Sequence, residues 1–295
     1  MSRDGSGDGA VVRRVTLVGM AVNVLLAGLK FVLGVVGHSQ ALVADAAHSL
    51  SDLGSDLTLL LGVKYWTAPA DDNHPYGHHR IETMFSAAIG LFLAAAAVGI
   101  GYRALTSIHD AAAPPPGWIA FAGAVLSIVL KEILYRWTMT AGRRIRSSAL
   151  AANAWHHRSD ALSSLPVALA VMVAIFFPDW SFVDQVAALL VTVFLLHAAW
   201  RIVFDALGEL TDRSAPSEDR RRILALSRGI DGVRDVHALR TRLSGGGTQV
   251  DLHVLVDSHL SVMEGHEIAG AVKGRLLEEG PGVVDVVIHI EPFEE

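Results

Sequence analysis

The sequence predicts an α-helical membrane protein with six transmembrane helices, followed by a C-terminal cytoplasmic α/β domain. Three observations predict it. Hydrophobic residues fill 52% of the 295 positions and charged residues only 18%, with a mean hydropathy of +0.41. The apolar positions form long runs rather than alternating, which a soluble domain rarely shows. Beyond Asp212 the runs shorten and charges rise, so a membrane domain over 1–211 and a soluble domain over 212–295 are expected.

Each span follows from its run, since crossing a bilayer takes about 20 apolar residues in a helix. The runs lie near 14–37, 41–65, 82–108, 117–138, 149–177 and 183–207. Gly37-His38-Ser39-Gln40, Pro114-Pro115-Pro116 and Pro178-Asp179 interrupt them with turn chemistry. Arg13, Arg14, Lys64, Arg80, Arg143, Arg144 and Arg146 fall on one side of this layout, with little beyond Arg103 on the other. The positive-inside rule therefore places both termini in the cytoplasm, as expected of a multi-pass protein of the cell (inner) membrane. Met1 to Gly9 is polar and the first run is long enough to span, so no cleavable signal peptide is expected.

In the soluble part, Ala215-Pro216-Ser217 reads as a linker into a charged helix over 217–229. Strands are expected near 233–242 and 248–256, split by Ser244-Gly245-Gly246-Gly247, then a helix near 261–279 and a strand at 283–291. Val250, Leu252, Val254 and Val256 alternate with Asp251, His253 and Leu255. In the last strand Val284, Val286, Ile288 and Ile290 are expected on the core face, opposite Asp285, Val287, His289 and Glu291.

Chemistry enters where ionisable residues break the apolar runs. His48 and Asp52 interrupt the second run, His156 and Asp160 the fifth, each pair at i and i+4 on one helical face. Ionisable groups inside a bilayer are costly enough to mark a functional site with a partner. Asp52 lies 11 residues beyond Ala41 and Asp160 the same number beyond Ala149, roughly 16 Å at 1.5 Å per residue. Entering from opposite ends, both pairs reach about the middle of the hydrocarbon core. Two nitrogens and two carboxylate oxygens make a tetrahedral set suited to a divalent metal, zinc above all. Asp45 and Asp56 extend the stripe of the second helix and read as pathway residues. His157 points about 100° away from His156 and is the weaker ligand.

Two further constellations lie outside the membrane. Asp71-Asp72-Asn73-His74-Pro75-Tyr76-Gly77-His78-His79 sets two histidines four apart beneath carboxylates, which fits either a surface metal or an ordinary polar loop. His237, His253, His266, His289 and Glu291 are dispersed through the soluble domain, where His253, His289 and Glu291 lie off the core faces.

Other classes are weaker. Cysteine is absent, so thiolate sites, disulfides and thiol catalysis are excluded. The net charge of −6 gives no reason to expect nucleic acid. His266-Glu267 is followed by Gly270, so the H-E-x-x-H motif is missing, and no Walker A sequence occurs. Ser39 within Gly37-His38-Ser39-Gln40-Ala41, with His197, would suit an intramembrane serine protease, which leaves both histidine–aspartate pairs unexplained. A membrane-anchored metal sensor is the other rival, although an anchor needs no buried ligands. No enzymatic activity is expected.

These residues resemble a known family. Asp45-Ala46-Ala47-His48-Ser49-Leu50-Ser51-Asp52, His156-His157-Arg158-Ser159-Asp160, the loop from Pro69 to Glu82 and Leu239-Arg240-Thr241-Arg242 are similar to the cation diffusion facilitators, over about residues 12–292. The bacterial zinc/proton antiporters among them are the nearest in pattern. The resemblance implies a homodimer in the lipid bilayer, a metallochaperone-like (ferredoxin-like) cytoplasmic domain, and exchange of metal for protons by alternating access. It implies that His48, Asp52, His156 and Asp160 form the transport site, and that Asp71, His74 and His78 form a loop site. It implies that His237, His253, His266, His289 and Glu291 form a binuclear cytoplasmic site, with Glu291 standing where a bacterial relative has aspartate. Arg80 and Asp212 match a charged interlock between the membrane and cytoplasmic parts. Zn2+ is the expected substrate and regulatory ligand, with Fe2+, Co2+, Mn2+ or Cd2+ the alternatives on the same fold.

Overall fold

The computed structural model describes residues 5–66, 68–108, 114–145, 147–245 and 247–294, without the side chains of 5–10, 52–64, 148 and 149. Helices α1 (Gly5–Val36), α2 (Gln40–Trp66), α3 (Arg80–Ser107) and α4 (Trp118–Ile145) come first, then α5 (Ser148–Ser163), α6 (Leu165–Phe176) and α7 (Phe182–Leu210). The soluble part runs α8 (Ser217–Arg228), β1 (Val233–Ser244), β2 (Gly247–Asp257), α9 (Val262–Glu279) and β3 (Val283–Phe293). The chain divides into two compact units, residues 1–60 with 88–202, and residues 61–87 with 203–295.

The first unit is packed as membrane helices are. Many of its large apolar side chains face outward, among them Leu25, Phe31, Phe92 and Phe194, while Ala41, Ala44, Ala120, Ala124, Ala170 and Ala188 are buried with leucines such as Leu26 and Leu42. Small residues let helix backbones approach where no hydrophobic drive holds them together. Gly37 shows this most sharply. A Cβ there would lie 2.6 Å from the Ala120 backbone nitrogen, and Gly117 N–H donates to Gly37 carbonyl at 2.8 Å. Among the described residues five spans are long and apolar enough to cross a bilayer: Val11–Val36, Arg80–Ser107, Trp118–Ile145, Leu150–Phe176 and Pro178–Leu210. The sixth expected span, α2, is 27 residues long, and its residues 52–64 lie outside the described side chains.

The fifth span is two helices, a break that the hydropathy pattern does not show. Pro166 lies in the first turn of α6 and has no N–H to give to Leu162 carbonyl. Ser164 N–H donates to the carbonyls of Asp160 and Leu162 instead, tightening the turn. The break carries the buried Ser164 hydroxyl to Asp45, at 2.9 and 3.1 Å from its two carboxylate oxygens.

In the second unit the soluble domain forms the expected α/β fold. β1 pairs antiparallel with β2, which pairs parallel with β3. Val250, Leu252, Val254 and Val256 form one face of the core with Ile223, Val236, Val272 and Leu276. Ser261 caps α9 through a capping box with Glu264, satisfying two orphan donors at once. One expected core residue is displaced. The β2–β3 register slips between Thr248 and Gln249, so Val283 is buried and Val284 is 53% exposed. Val284 packs over Gly247, where a Cβ would approach it to 2.4 Å.

Candidate metal centre

Three groups of ligand-type residues were expected, and the structure assembles them to different degrees. In the soluble domain the strand register sets His237 opposite His253 and His253 opposite His289, a row of imidazoles across the sheet. All three leave the core face, because Val236 and Val254 beside them point inward. β1 bulges after His237, with Ala238 at a φ of 50°, the kind of local distortion that re-aims a side chain next to a site.

Glu291 ties the row together. Its Oε2 lies 2.8 Å from His237 Nε2 and its Oε1 2.8 Å from His253 Nδ1, with His289 Nε2 at 3.4 Å. One ligand atom each from His237, His253 and Glu291 lies within 4.8 Å of the others, compact enough for one divalent ion at zinc–ligand distances of about 2.0–2.2 Å. His266 is exposed on α9 and stands outside this group.

Hydrogen bonding from His237 holds the Glu291 carboxyl below its ordinary range; desolvation opposes it and His253 adds to it. The linkage sign follows. A depressed carboxylate contributes stability above its unfolded value, and that contribution is lost as pH falls through the folded value. Glu291→Gln is therefore expected to flatten the acid limb of the domain's thermal stability, followed from neutral pH to about pH 3. The same substitution is expected to weaken metal binding at this cluster. An acid limb as steep as wild type would count against the assignment.

The loop group is smaller and more exposed. Asp71 Oδ1 accepts from Asn73 N–H at 2.9 Å and His74 N–H at 2.6 Å, a turn that aspartate favours through its short side chain. The His74 backbone hydrogen bond is the largest cause holding the Asp71 carboxyl below its usual range. His74 Nδ1 lies 3.2 Å from Oδ1 and His78 Nε2 3.4 Å from Oδ2. The two rings are 4.3 Å apart. Asp71, His74 and His78 thus offer three ligand atoms within 4.8 Å of one another. In the same unit Arg80 bonds Asp212, and Glu209 accepts from Thr83 at 2.8 Å and from Gly245 N–H.

Among the described side chains of the membrane quartet the structure shows one contact, between His156 and Asp160 of the same helix. The Asp52 and Asp56 side chains lie outside the described residues. His48 is half-buried, and its Nδ1 has no hydrogen-bond partner among the described residues. His156 Nε2 is 3.8 Å from Asp160 Oδ2, with the imidazole 52% exposed. The buried histidine of the pair is His157. The shortest contact of Asp160 is with a residue that the spacing argument did not weigh: Lys131 Nζ, at 2.7 Å. Asp45 is likewise held by Lys30 Nζ at 2.9 Å. A lone lysine in each of two apolar runs was the available signal, since a buried charge must find a partner. Ser39 is buried and donates to Asp184 at 2.6 Å, while also accepting from Leu42 N–H at 3.0 Å. His197 is exposed. That serine is occupied in capping α2.

Residues 16–211 match the cation efflux transmembrane domain, and residues 215–293 match the cytoplasmic domain of cation efflux proteins. The chain belongs to the cation efflux family. It is a multi-pass membrane protein of a family of metal-exporting transporters. The transporter MJ0449 of Methanocaldococcus jannaschii is 34% identical over 280 residues, covering 95% of this chain and 98% of that protein. The manganese efflux system protein MneP of Bacillus subtilis is 28% identical, covering 97% of each. The cation-efflux pump FieF of Shigella flexneri is 30% identical, covering 96% of this chain and 94% of the pump. A nickel form of the MamM CTD is 25% identical, covering 27% of this chain and 100% of that structure, with a TM-score of 0.26.

Proposed function

We propose that this cation efflux protein is a metal/proton antiporter that exports Zn2+ from the cytoplasm by alternating access. The observation that carries the reading is a histidine–aspartate pair at i, i+4 in each of two membrane helices, His48 with Asp52 in α2 and His156 with Asp160 in α5. The buried Nδ1 of His48, without a hydrogen-bond partner among the described residues, supports it, because a buried polar atom calls for a partner. Two imidazoles and two carboxylates favour zinc over the harder ions. The relative named for manganese efflux makes Mn2+ the nearest alternative, ahead of Fe2+, Co2+ and Cd2+.

A ligating imidazole nitrogen must be free of its proton, so zinc binding releases protons. Histidine titrates within reach of physiological proton concentrations. Proton entry down its gradient then drives zinc out. The protein works as a homodimer in the inner membrane with both termini cytoplasmic, the soluble domains pairing through the part that matches the family's cytoplasmic domain. The Asp71 and Glu291 clusters load when zinc is plentiful and bias the transport equilibrium.

The test is metal-driven proton flux in proteoliposomes with Zn2+, Cd2+, Mn2+, Fe2+ and Co2+, comparing wild type with Asp52→Ala. Zinc-dependent flux that the substitution removes is the expected result. Flux with Mn2+ or Fe2+ and none with Zn2+ would overturn the metal assignment. Metal binding with no flux for any ion would favour a sensor.

A further inference from the structure

We propose that Lys131 is a tethered cation that holds the transport-site carboxylate while no metal is bound and must leave it for a divalent ion to enter. This rests on Asp160 being a transport ligand. The Lys131 ammonium donates to Asp160 Oδ2 at 2.7 Å, and that oxygen is the one 3.8 Å from His156 Nε2. The two side chains are 2% and 9% exposed, so water screens the pair little.

An oxygen bound to zinc at about 2.0–2.2 Å cannot keep this ammonium at hydrogen-bond distance without setting the two cations within about 5 Å of each other. Their repulsion is strong in a medium of low dielectric. Ammonium and metal are therefore alternative partners of one carboxylate.

The displaced ammonium has a place to go. Lys131 sits on the buried stripe of α4 with Ala124, Ser127, Leu134 and Thr138. A long side chain on a helix leans toward the turn before it, which here carries Ser127 at i−4. Ser127 Oγ is buried and has no hydrogen-bond partner among the described residues. A change of rotamer moves the ammonium from Asp160 to that acceptor. The exchange keeps the carboxylate partnered through the metal-free half of the cycle, and it weakens metal binding enough to permit release.

Zn2+ titration of the purified full chain tests this with wild type, Lys131→Met, Lys131→Arg and Asp160→Asn. The binding step that Asp160→Asn removes identifies the transport site among the other metal clusters. Lys131→Met is expected to lower the Kd of that step by at least about tenfold. Lys131→Arg, which keeps the cation, is expected at the wild-type Kd or weaker. The zinc-induced rise in Tm is expected to be larger in Lys131→Met than in wild type, an effect that a merely structural ion pair would not give. An unchanged or weaker step in Lys131→Met overturns the proposal and leaves Asp160 as a ligand. If that variant does not fold, tighter binding by Lys131→Arg overturns it equally. If Asp160→Asn removes no step, the ligand reading falls and takes this proposal with it.

Discussion

Replacing Lys30 with methionine is expected to destabilise the membrane domain by about 3–5 kcal/mol, the range for removing one partner of a buried ion pair. The Lys30 ammonium is 1% exposed and pairs with Asp45 at 2.9 Å, donating also to Ser49 Oγ at 3.0 Å and Ser164 Oγ at 3.1 Å. Three acceptors match its three N–H groups. The substitution leaves the Asp45 carboxylate buried with Ser164 as its one remaining hydroxyl donor among the described residues. Most of the loss is therefore the stranding of a charge rather than the value of the contact. Lys30→Met combined with Asp45→Leu is expected to recover most of the stability, since an apolar replacement of a whole buried pair is often neutral. Unfolding of the two variants in detergent measures the difference. Equal destabilisation would mean that packing, not charge, governs this position.

This knot also marks what the sequence could and could not disclose. The spans were legible because bilayer thickness fixes a run length and because turn residues punctuate the runs. The sheet was legible from the alternation around Val250 to Val256. The partners of the buried charges were not, because Lys30 and Asp45 lie on different helices and no spacing rule links them. Ser164 sits in a run read as one helix, and its place in the knot depends on the turn that Pro166 forces. Val284 failed for a related reason. One slipped residue in the β2–β3 register reverses the face, and only pairing reveals the slip. The candidate ligands of the soluble domain were legible as a set of types, yet four of the five converge because strand register aligns His237, His253 and His289 beside Glu291. His266 is on a helix and stays apart. Of the two adjacent histidines His157 is buried and His156 exposed, on a helix whose Asp160 pairs with Lys131 of α4.

Asp160→Asn combined with Lys131→Met is expected to fold like wild type and to lose metal-driven proton flux by at least about 100-fold, beyond the 10–100-fold typical of a ligand's neighbours. Asp160→Ala alone would confuse two effects. It removes the carboxylate and strands the Lys131 ammonium, 2% exposed, so lost flux could follow from lost folding. The double variant removes both charges of the 2.7 Å pair and leaves no buried ion uncompensated. If flux then disappears while the Tm holds, the carboxylate is required for transport in its own right. A double variant that keeps its flux would assign Asp160 to holding α4 against α5, and the metal path would have to run through α2 alone. The contrast with Lys30 and Asp45 sharpens the reading. Both pairs are buried lysine–aspartate contacts within the membrane domain, but among the described residues only Asp160 has a histidine, His156, within 4 Å of the same oxygen. Neutralising the first pair should leave transport standing, and neutralising the second should end it.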